Sequence, residues 1–123
     1  MVETPLITKH NSKGLKSTIF LADGSVVNLN AESEISYQEH FNDSSRTVYL
    51  KGEAFFNVAK DSLRPFVVIS DQVSVTALGT SFNVNAYDSS AVSVALVSGR
   101  VKVNAAPNNS SFNQSEVFLN PGE

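Results

Sequence analysis

Apolar and polar residues alternate with a period of two along most of this chain. The clearest stretch spans residues 81–87, in which Phe82, Val84 and Ala86 alternate with more polar side chains. A period of two places successive side chains on opposite faces of a β-strand, whereas a helix requires a period near 3.6. The helical period is nearly absent, so the pattern predicts an all-β chain.

Residues typical of turns divide the alternating stretches into short strands. Asp23 and Gly24 separate residues 18–21 from residues 25–29, and this dipeptide readily takes the left-handed backbone that a tight hairpin requires. We therefore expect these two stretches to pair as a hairpin. The other predicted strands span residues 35–37, 47–50, 54–58, 66–69, 73–78, 81–87, 91–97, 100–103 and 117–119.

A short pattern of an apolar residue, a glycine and two further apolar residues occurs three times. The copies are Gly52 before Phe55 and Val58, Gly79 before Phe82 and Val84, and Gly99 before Val101 and Val103. If each copy is one bend of a coil, the three glycines lie beside one another and the domain is a twisted β-solenoid. If the glycines mark ordinary bends, the domain is a two-sheet sandwich of short strands. Both alternatives describe a single all-β domain.

Composition limits the classes of function. A chain of 123 residues with 41% hydrophobic residues has the size and core of one domain, which we place at residues 15–123 after a linker or flexible N-terminal segment at residues 1–14. The net charge is −3 and the basic residues are scattered, which argues against binding nucleic acid. No apolar stretch is long enough to cross a membrane and no secretory signal is present, so an exported protein would have lost its export element.

Residues that carry catalysis or bind metals are scarce. The two histidines, His10 and His40, have no partner at metal-ligand spacing, since the neighbouring Glu39 points to the opposite face of a strand from His40. There is no cysteine and no Gly-x-Ser-x-Gly motif around a serine nucleophile. We expect no catalytic residue, no metal, no cofactor and no enzymatic activity.

Six segments resemble, in order, the periplasmic domain of FecR-type anti-sigma regulators. They are residues 21–31 (LADGSVVNLNA), 46–58, 65–68, 78–87, 94–103 and 119–123. The departures are small: Ala22 stands where the family usually has proline, and the loop 104–115 is idiosyncratic. The residues that carry the resemblance, which we expect to hold the fold, are Asp23, Gly24, Leu29, Asn30, Gly52, Glu53, Phe55, Phe56, Val58, Pro65, Phe66, Gly79, Thr80, Phe82, Asn83, Val84, Tyr87, Gly99, Val101, Pro121 and Gly122.

The resemblance implies the periplasmic domain of a single-pass inner-membrane protein. Such a protein binds an extracytoplasmic-function sigma factor through a cytoplasmic segment and a TonB-dependent outer-membrane transporter through a C-terminal domain, both outside this chain. Its membrane helix also lies outside this chain. The domain would then transmit a signal by protein–protein binding, with no nucleic acid and no cofactor. Exposed strand edges near Ile35 or Val117 are the places where a partner could add a strand.

An extracellular glycan-binding or adhesion module is the alternative. In that case the polar loop 104–115 would carry recognition. Against it, carbohydrate-binding modules generally display exposed tryptophan or tyrosine, whereas this chain has no tryptophan and its three tyrosines lie within predicted strands.

Overall fold

The computed structural model describes residues 6–41, 45–61, 63–70, 73–88, 92–105 and 117–119, with only the backbone for residues 105 and 117–119. Eleven strands and no helix form in these ranges, which confirms the all-β prediction; accordingly, no helix there could span a membrane. The strands are β1 Leu6–His10, β2 Ser17–Phe20, β3 Val26–Leu29, β4 Glu34–Gln38, β5 Arg46–Asn57, β6 Phe66–Ser70, β7 Val73–Ala77, β8 Ser81–Ala86, β9 Ser93–Ser98, β10 Val101–Ala105 and β11 Val117–Leu119.

The strands form one mixed sheet with two wings that share β5. Wing A has the order β1-β4-β5-β6-β7-β10-β11, and wing B has the order β2-β3-β5-β8-β9. The first half of β5 pairs with β4 and β6, and the second half pairs with β3 and β8. The pairing of β5 with β6 is parallel, while the other described pairs, including the predicted β2–β3 hairpin, are antiparallel.

Gly52 lies where β5 passes from one wing to the other. Its φ of 93° is left-handed, and a Cβ atom added there would lie 2.3 Å from the Ser33 Oγ. Glycine is therefore required both by the backbone conformation and by the close approach of Ser33. The sequence predicts two runs separated by this glycine, whereas the structure has a single twelve-residue strand.

The two wings face each other across one core. Phe56 of wing B lies edge-on to Phe66 of wing A, with ring centroids 6.0 Å apart, and stacks on Phe82 at 5.3 Å. All three rings are fully buried. Around them the core contains Ile19, Leu21, Val27, Leu29, Ile35, Tyr37, Val48, Leu50, Ala54, Val58, Val68, Val75, Ala77, Val84, Ala86, Leu96 and Val101.

The three glycines of the repeated pattern do not lie together. Gly99 is next to Gly79, because a Cβ atom at Gly99 would lie 3.0 Å from the Gly79 carbonyl oxygen. Gly52 instead pairs with Ala86, at the end of β8 away from Gly79. Each glycine lies where the chain passes between the wings, and the strands run largely antiparallel. The arrangement is therefore not that of a coil, and it corresponds to the sandwich alternative with the two wings of one mixed sheet in place of two separate sheets.

Two phenylalanines of the strands lie outside the core. Phe55 is among the residues expected to hold the fold, but the alternation of β5 buries Ala54 and Phe56 and leaves Phe55 on the outer face, partly exposed. Phe20, at the end of β2, is 76% exposed. In each case the neighbouring residue of the strand points inward, so the register of the strand decides which side chain is buried.

Residues 6–10 fall within the predicted linker, yet they form β1. This strand pairs antiparallel with β4, from Leu6 opposite Gln38 to His10 opposite Glu34. Of its side chains only Ile7 is partly buried. A strand held mainly by backbone hydrogen bonds has no alternation of buried residues, which is why the sequence pattern does not reveal it.

Candidate functional site

A fully buried arginine lies at the end of the sandwich where the loop after β2 meets the segment after β5. The Nη1 atom of Arg46 is 2.7 Å from the Asp23 Oδ2, and both side chains are almost completely inaccessible to solvent. Arg46 also donates hydrogen bonds to the carbonyl oxygens of Ala59 at 2.7 Å and Arg64 at 2.8 Å. Its guanidinium carbon is 5.5 Å from the centre of the Phe66 ring. Arg46 thereby joins two chain segments and the core.

Hydrogen bonds within its own turn stabilise the charged form of Asp23. Burial by itself would raise the pKa of Asp23, but hydrogen bonds from the Ser25 hydroxyl and backbone N–H and the charge of Arg46 outweigh burial, so the pKa lies below its ordinary value. The Ser25 Oγ is 2.7 Å from the Asp23 Oδ2 and accepts a hydrogen bond from the Ala59 N–H at 2.9 Å. Gly24 closes the turn with the expected left-handed φ, here 91°. Asp23, Gly24 and Phe66 are among the residues that carry the family resemblance, which we call the signature residues. All three form or surround this one buried ion pair.

A second polar group of signature residues lies on wing B. The Glu53 carboxylate accepts hydrogen bonds from the Asn30 Nδ2 at 2.7 Å and from the Asn83 Nδ2 at 2.8 Å. These residues belong to the end of β3, to β5 and to β8, so one carboxylate links three neighbouring segments. The ionised carboxylate strengthens both bonds.

A third polar group surrounds the bend of β5. The Ser33 Oγ accepts a hydrogen bond from the Glu53 N–H at 2.9 Å. It also bonds to the Tyr87 hydroxyl, which in turn donates to the Ala31 carbonyl oxygen. Tyr87 thus anchors the segment before β4 against the Gly52 bend.

A cavity of about 450 Å³ opens on the outer face of wing B. The side chains that characterise it are Lys16, Thr18, Asn28, Glu53, Phe55 and Asn83. Asn28, Phe55 and Asn83 lie directly opposite one another on β3, β5 and β8. The cavity therefore follows one cross-strand row of the sheet.

The remaining signature residues are structural or lie outside the described ranges. Leu29, Phe56, Val58, Phe82, Val84 and Val101 are buried in the core. Gly79, Thr80 and Gly99 form the corner between β7, β8 and β10, and the Pro65 carbonyl oxygen accepts a hydrogen bond from the Arg46 N–H. Pro121 and Gly122 lie outside the described residues, as does most of the loop 104–115.

Of the two expected strand edges, the one at Ile35 is wrong and the one at Val117 is confirmed. Ile35 lies in β4, which is covered by β1 on one side and β5 on the other, so it is not an edge. Val117 lies in β11, at the end of wing A. Among the strands that the structure describes, β1, β2, β9 and β11 pair on one side only.

Three buried polar residues that join distant segments are not singled out by the sequence. Arg46 only begins the segment 46–58, and Ser33 lies in none of the six segments. Asn11, within the predicted linker, is buried and donates to the carbonyl oxygens of Leu29 and Asn30 at 2.9 and 3.2 Å. Each acts through partners distant in sequence, which no local pattern indicates. Within the described residues no group of three metal-ligating side chains lies together.

The sequence profile of the FecR protein family matches residues 8–102, about three quarters of the chain. This chain belongs to the FecR family. The matched region contains all three polar groups, those around Arg46, Glu53 and Ser33. No curated protein matches the chain significantly.

Two crystal structures, each of a provisionally assigned anti-sigma factor from Parabacteroides distasonis, have the same fold as this FecR domain. The structure at 2.50 Å resolution gives a TM-score of 0.84 at 36% sequence identity and covers 95% of this chain. The structure at 1.65 Å resolution gives a TM-score of 0.83 at 36% sequence identity and covers 94% of this chain. The FecR chain spans about half the length of those proteins, 52% and 51%.

Proposed function

We propose that this FecR domain is the periplasmic sensor and relay part of a membrane-bound anti-sigma factor. The observation that carries the proposal is the shared fold, at 36% identity, with a chain about twice as long that is assigned as an anti-sigma factor. The domain would receive a signal that begins at a TonB-dependent outer-membrane transporter and pass it toward an extracytoplasmic-function sigma factor. The transporter and the sigma factor would bind parts of the regulator outside this chain, which is held to the inner membrane by a helix also outside it.

The proposed mechanism is a change in binding equilibrium. A contact made in the periplasm shifts the regulator between states only if it binds those states with different affinities. Such a relay needs a rigid body and a surface for contact, and no bond needs to break. The Arg46 and Glu53 centres supply rigidity, since each holds together segments that are distant in sequence. The edge strand β11 is a surface to which a partner strand could pair.

Cross-linking in cells tests the proposed partners. The full-length regulator, tagged and expressed at native level, is cross-linked in its host, purified and analysed by mass spectrometry. We expect a sigma factor and a TonB-dependent transporter to be recovered with it. A regulator with Phe82→Ala, which we expect to destabilise this domain, serves as the matched variant. Recovery of neither protein would reject the relay.

A fusion reporter tests the proposed location. Alkaline phosphatase, which is active only after export, is joined after residue 119 in the full-length regulator. We expect phosphatase activity in intact cells, and we expect a cytoplasmic reporter at the same position to be inactive. The reverse pattern would place the domain on the cytoplasmic side and contradict the proposal.

A further inference from the structure

The outer-face cavity of wing B has the chemistry of a binding site for a polar ligand. Its volume of about 450 Å³ falls within the range of small-molecule sites, roughly 300–1,000 Å³. It is lined by amides, hydroxyl groups, one carboxylate, one ammonium group and one aromatic ring. Seven of the ten lining residues carry groups that form directed hydrogen bonds, and the other three, Leu29, Ala54 and Phe55, are apolar.

The hydrogen-bonding groups are held in place before any ligand arrives. Asn30 and Asn83 fix the two oxygens of the Glu53 carboxylate. On the next strands, the Thr18 hydroxyl donates a hydrogen bond of 2.9 Å to the Asn28 Oδ1. Side chains that are already ordered lose little entropy on binding. A carboxylate also has about four acceptor positions, so bonds from two amides leave capacity for ligand hydroxyl groups.

The charges of the lining favour a neutral ligand. Of the described residues around the cavity, Lys16 and Glu53 are the charged ones, and they have opposite signs. An anion would meet the Glu53 carboxylate, and a cation would meet the Lys16 ammonium. A neutral molecule with many hydroxyl groups can use both, because ammonium groups donate hydrogen bonds and carboxylates accept them.

Phe55 adds an apolar surface to this polar lining. It lies directly between Asn28 and Asn83 across the strands, and its ring is partly exposed. A sugar ring has hydroxyl groups around its rim and C–H groups on its faces, so it matches an aromatic ring flanked by amides. Alternation explains the arrangement: the inward-facing neighbours Ala54 and Phe56 fill the core and leave Phe55 on the outer face.

We propose that this cavity binds a short neutral saccharide. Phe55 contacts one face of a sugar ring, and Asn28, Asn83 and Glu53 bond its hydroxyl groups. The site lies on the outer face of the sheet, on β3, β5 and β8. Saccharide binding by the isolated chain is independent of any transporter or sigma factor, so its failure leaves the relay proposal unaffected.

Titrations observed by NMR test the proposal on the 15N-labelled 123-residue chain. Maltotriose, cellotriose and tri-N-acetylchitotriose are the neutral probes, and trigalacturonate and chitotriose are the matched anionic and cationic probes. We expect at least one neutral probe to shift the backbone amides of Asn28, Phe55 and Asn83, and the charged probes to leave them unchanged. Binding of no neutral probe, binding of a charged probe alone, or shifts confined to another surface would each overturn the proposal.

Variants separate recognition from folding. Phe55→Ala is expected to weaken binding of the neutral probe by about tenfold or more, since an aromatic contact and its buried area are lost. Asn28→Ala, at an exposed position of β3, is the second test and is also expected to weaken binding. Asn85→Ala is the control, because it lies on the same face of β8 as Asn83 but does not line the cavity. Each variant is shown to be folded by circular dichroism. If Phe55→Ala and Asn28→Ala bind the probe as tightly as the unchanged chain and as Asn85→Ala, the site is rejected.

Discussion

The Arg46 Nη1 atom donates a 2.7 Å hydrogen bond to the Asp23 Oδ2, and the two residues are separated by 23 positions in the sequence. Neither side chain has appreciable contact with solvent. The pair joins the β2–β3 turn to the start of β5. A buried charge is costly without its partner, so loss of either residue should destabilise the whole domain.

Removal of one partner of this pair should strongly destabilise the fold. We expect Asp23→Ala or Arg46→Met to lower the free energy of unfolding by about 3–5 kcal/mol, since each leaves an uncompensated buried charge or buried acceptors without a donor. The double variant should lose less than the sum of the two, with a coupling of at least about 1 kcal/mol. Urea denaturation measures all three. Arg64→Met, which removes a partly exposed ion pair with Asp61, is the control and should change little.

The stability of the domain should fall in acid partly through Asp23. The pKa of Asp23 is lower in the folded chain than its ordinary value of 3.8. Its charged form therefore stabilises the folded state above that value, and this contribution is lost as the pH falls through the lower, folded-state pKa. We expect the unfolding free energy of Asp23→Asn to decrease less than that of the wild type between about pH 6 and about pH 2. Identical pH profiles would show that Asp23 does not contribute.

Two phenylalanines should differ sharply in their effect on stability. Phe82 is fully buried and stacked on Phe56, so Phe82→Ala should cost about 3–5 kcal/mol. Phe20 is 76% exposed, so Phe20→Ala should change the unfolding free energy by less than about 0.5 kcal/mol. Chemical denaturation midpoints compare them. An unchanged midpoint for Phe82→Ala would contradict its place in the core.

The bend of β5 should tolerate no side chain at its glycine. Gly14 also has a left-handed φ but has open space around it, so Gly14→Ala should cost about 1–2 kcal/mol from backbone strain alone. Gly52→Ala should cost more, because its Cβ would also collide with Ser33. The two variants are compared by thermal or urea unfolding. The extra loss of unfolding free energy in Gly52→Ala measures the effect of the close approach of Ser33. Equal effects would mean that Ser33 moves aside freely.

Local signals account for the parts of the fold that the sequence predicts. The Asp23–Gly24 turn and the alternation of residues 81–87 each lie within a few neighbouring residues, and the structure confirms the hairpin and β8. By contrast, β1 has mostly exposed side chains, and the cover it gives to Ile35 depends on strand order. Strand order is a long-range property, so the expected edge at Ile35 was wrong.

The polar centres show the same division between local and long-range information. Arg46 follows a polar stretch and, by its residue type, would be expected at the surface. Its burial follows from acceptors on Asp23, Ala59 and Arg64, which are distant in sequence. For Glu53, Asn30 and Asn83 the resemblance to FecR proteins singles out the residues, but only the fold shows that they meet at one carboxylate.

The transcript profile of the host tests the relay most directly. Cells carrying the full-length gene are compared with cells in which the codons for residues 6–119 are removed in frame, with immunoblots to confirm equal protein levels. In the full-length strain we expect a discrete set of transcripts, including that of an outer-membrane transporter, to respond to the transporter's substrate. We expect this response to be lost when the domain is removed. Identical transcript profiles in the two strains, with and without the transporter's substrate, would contradict the account.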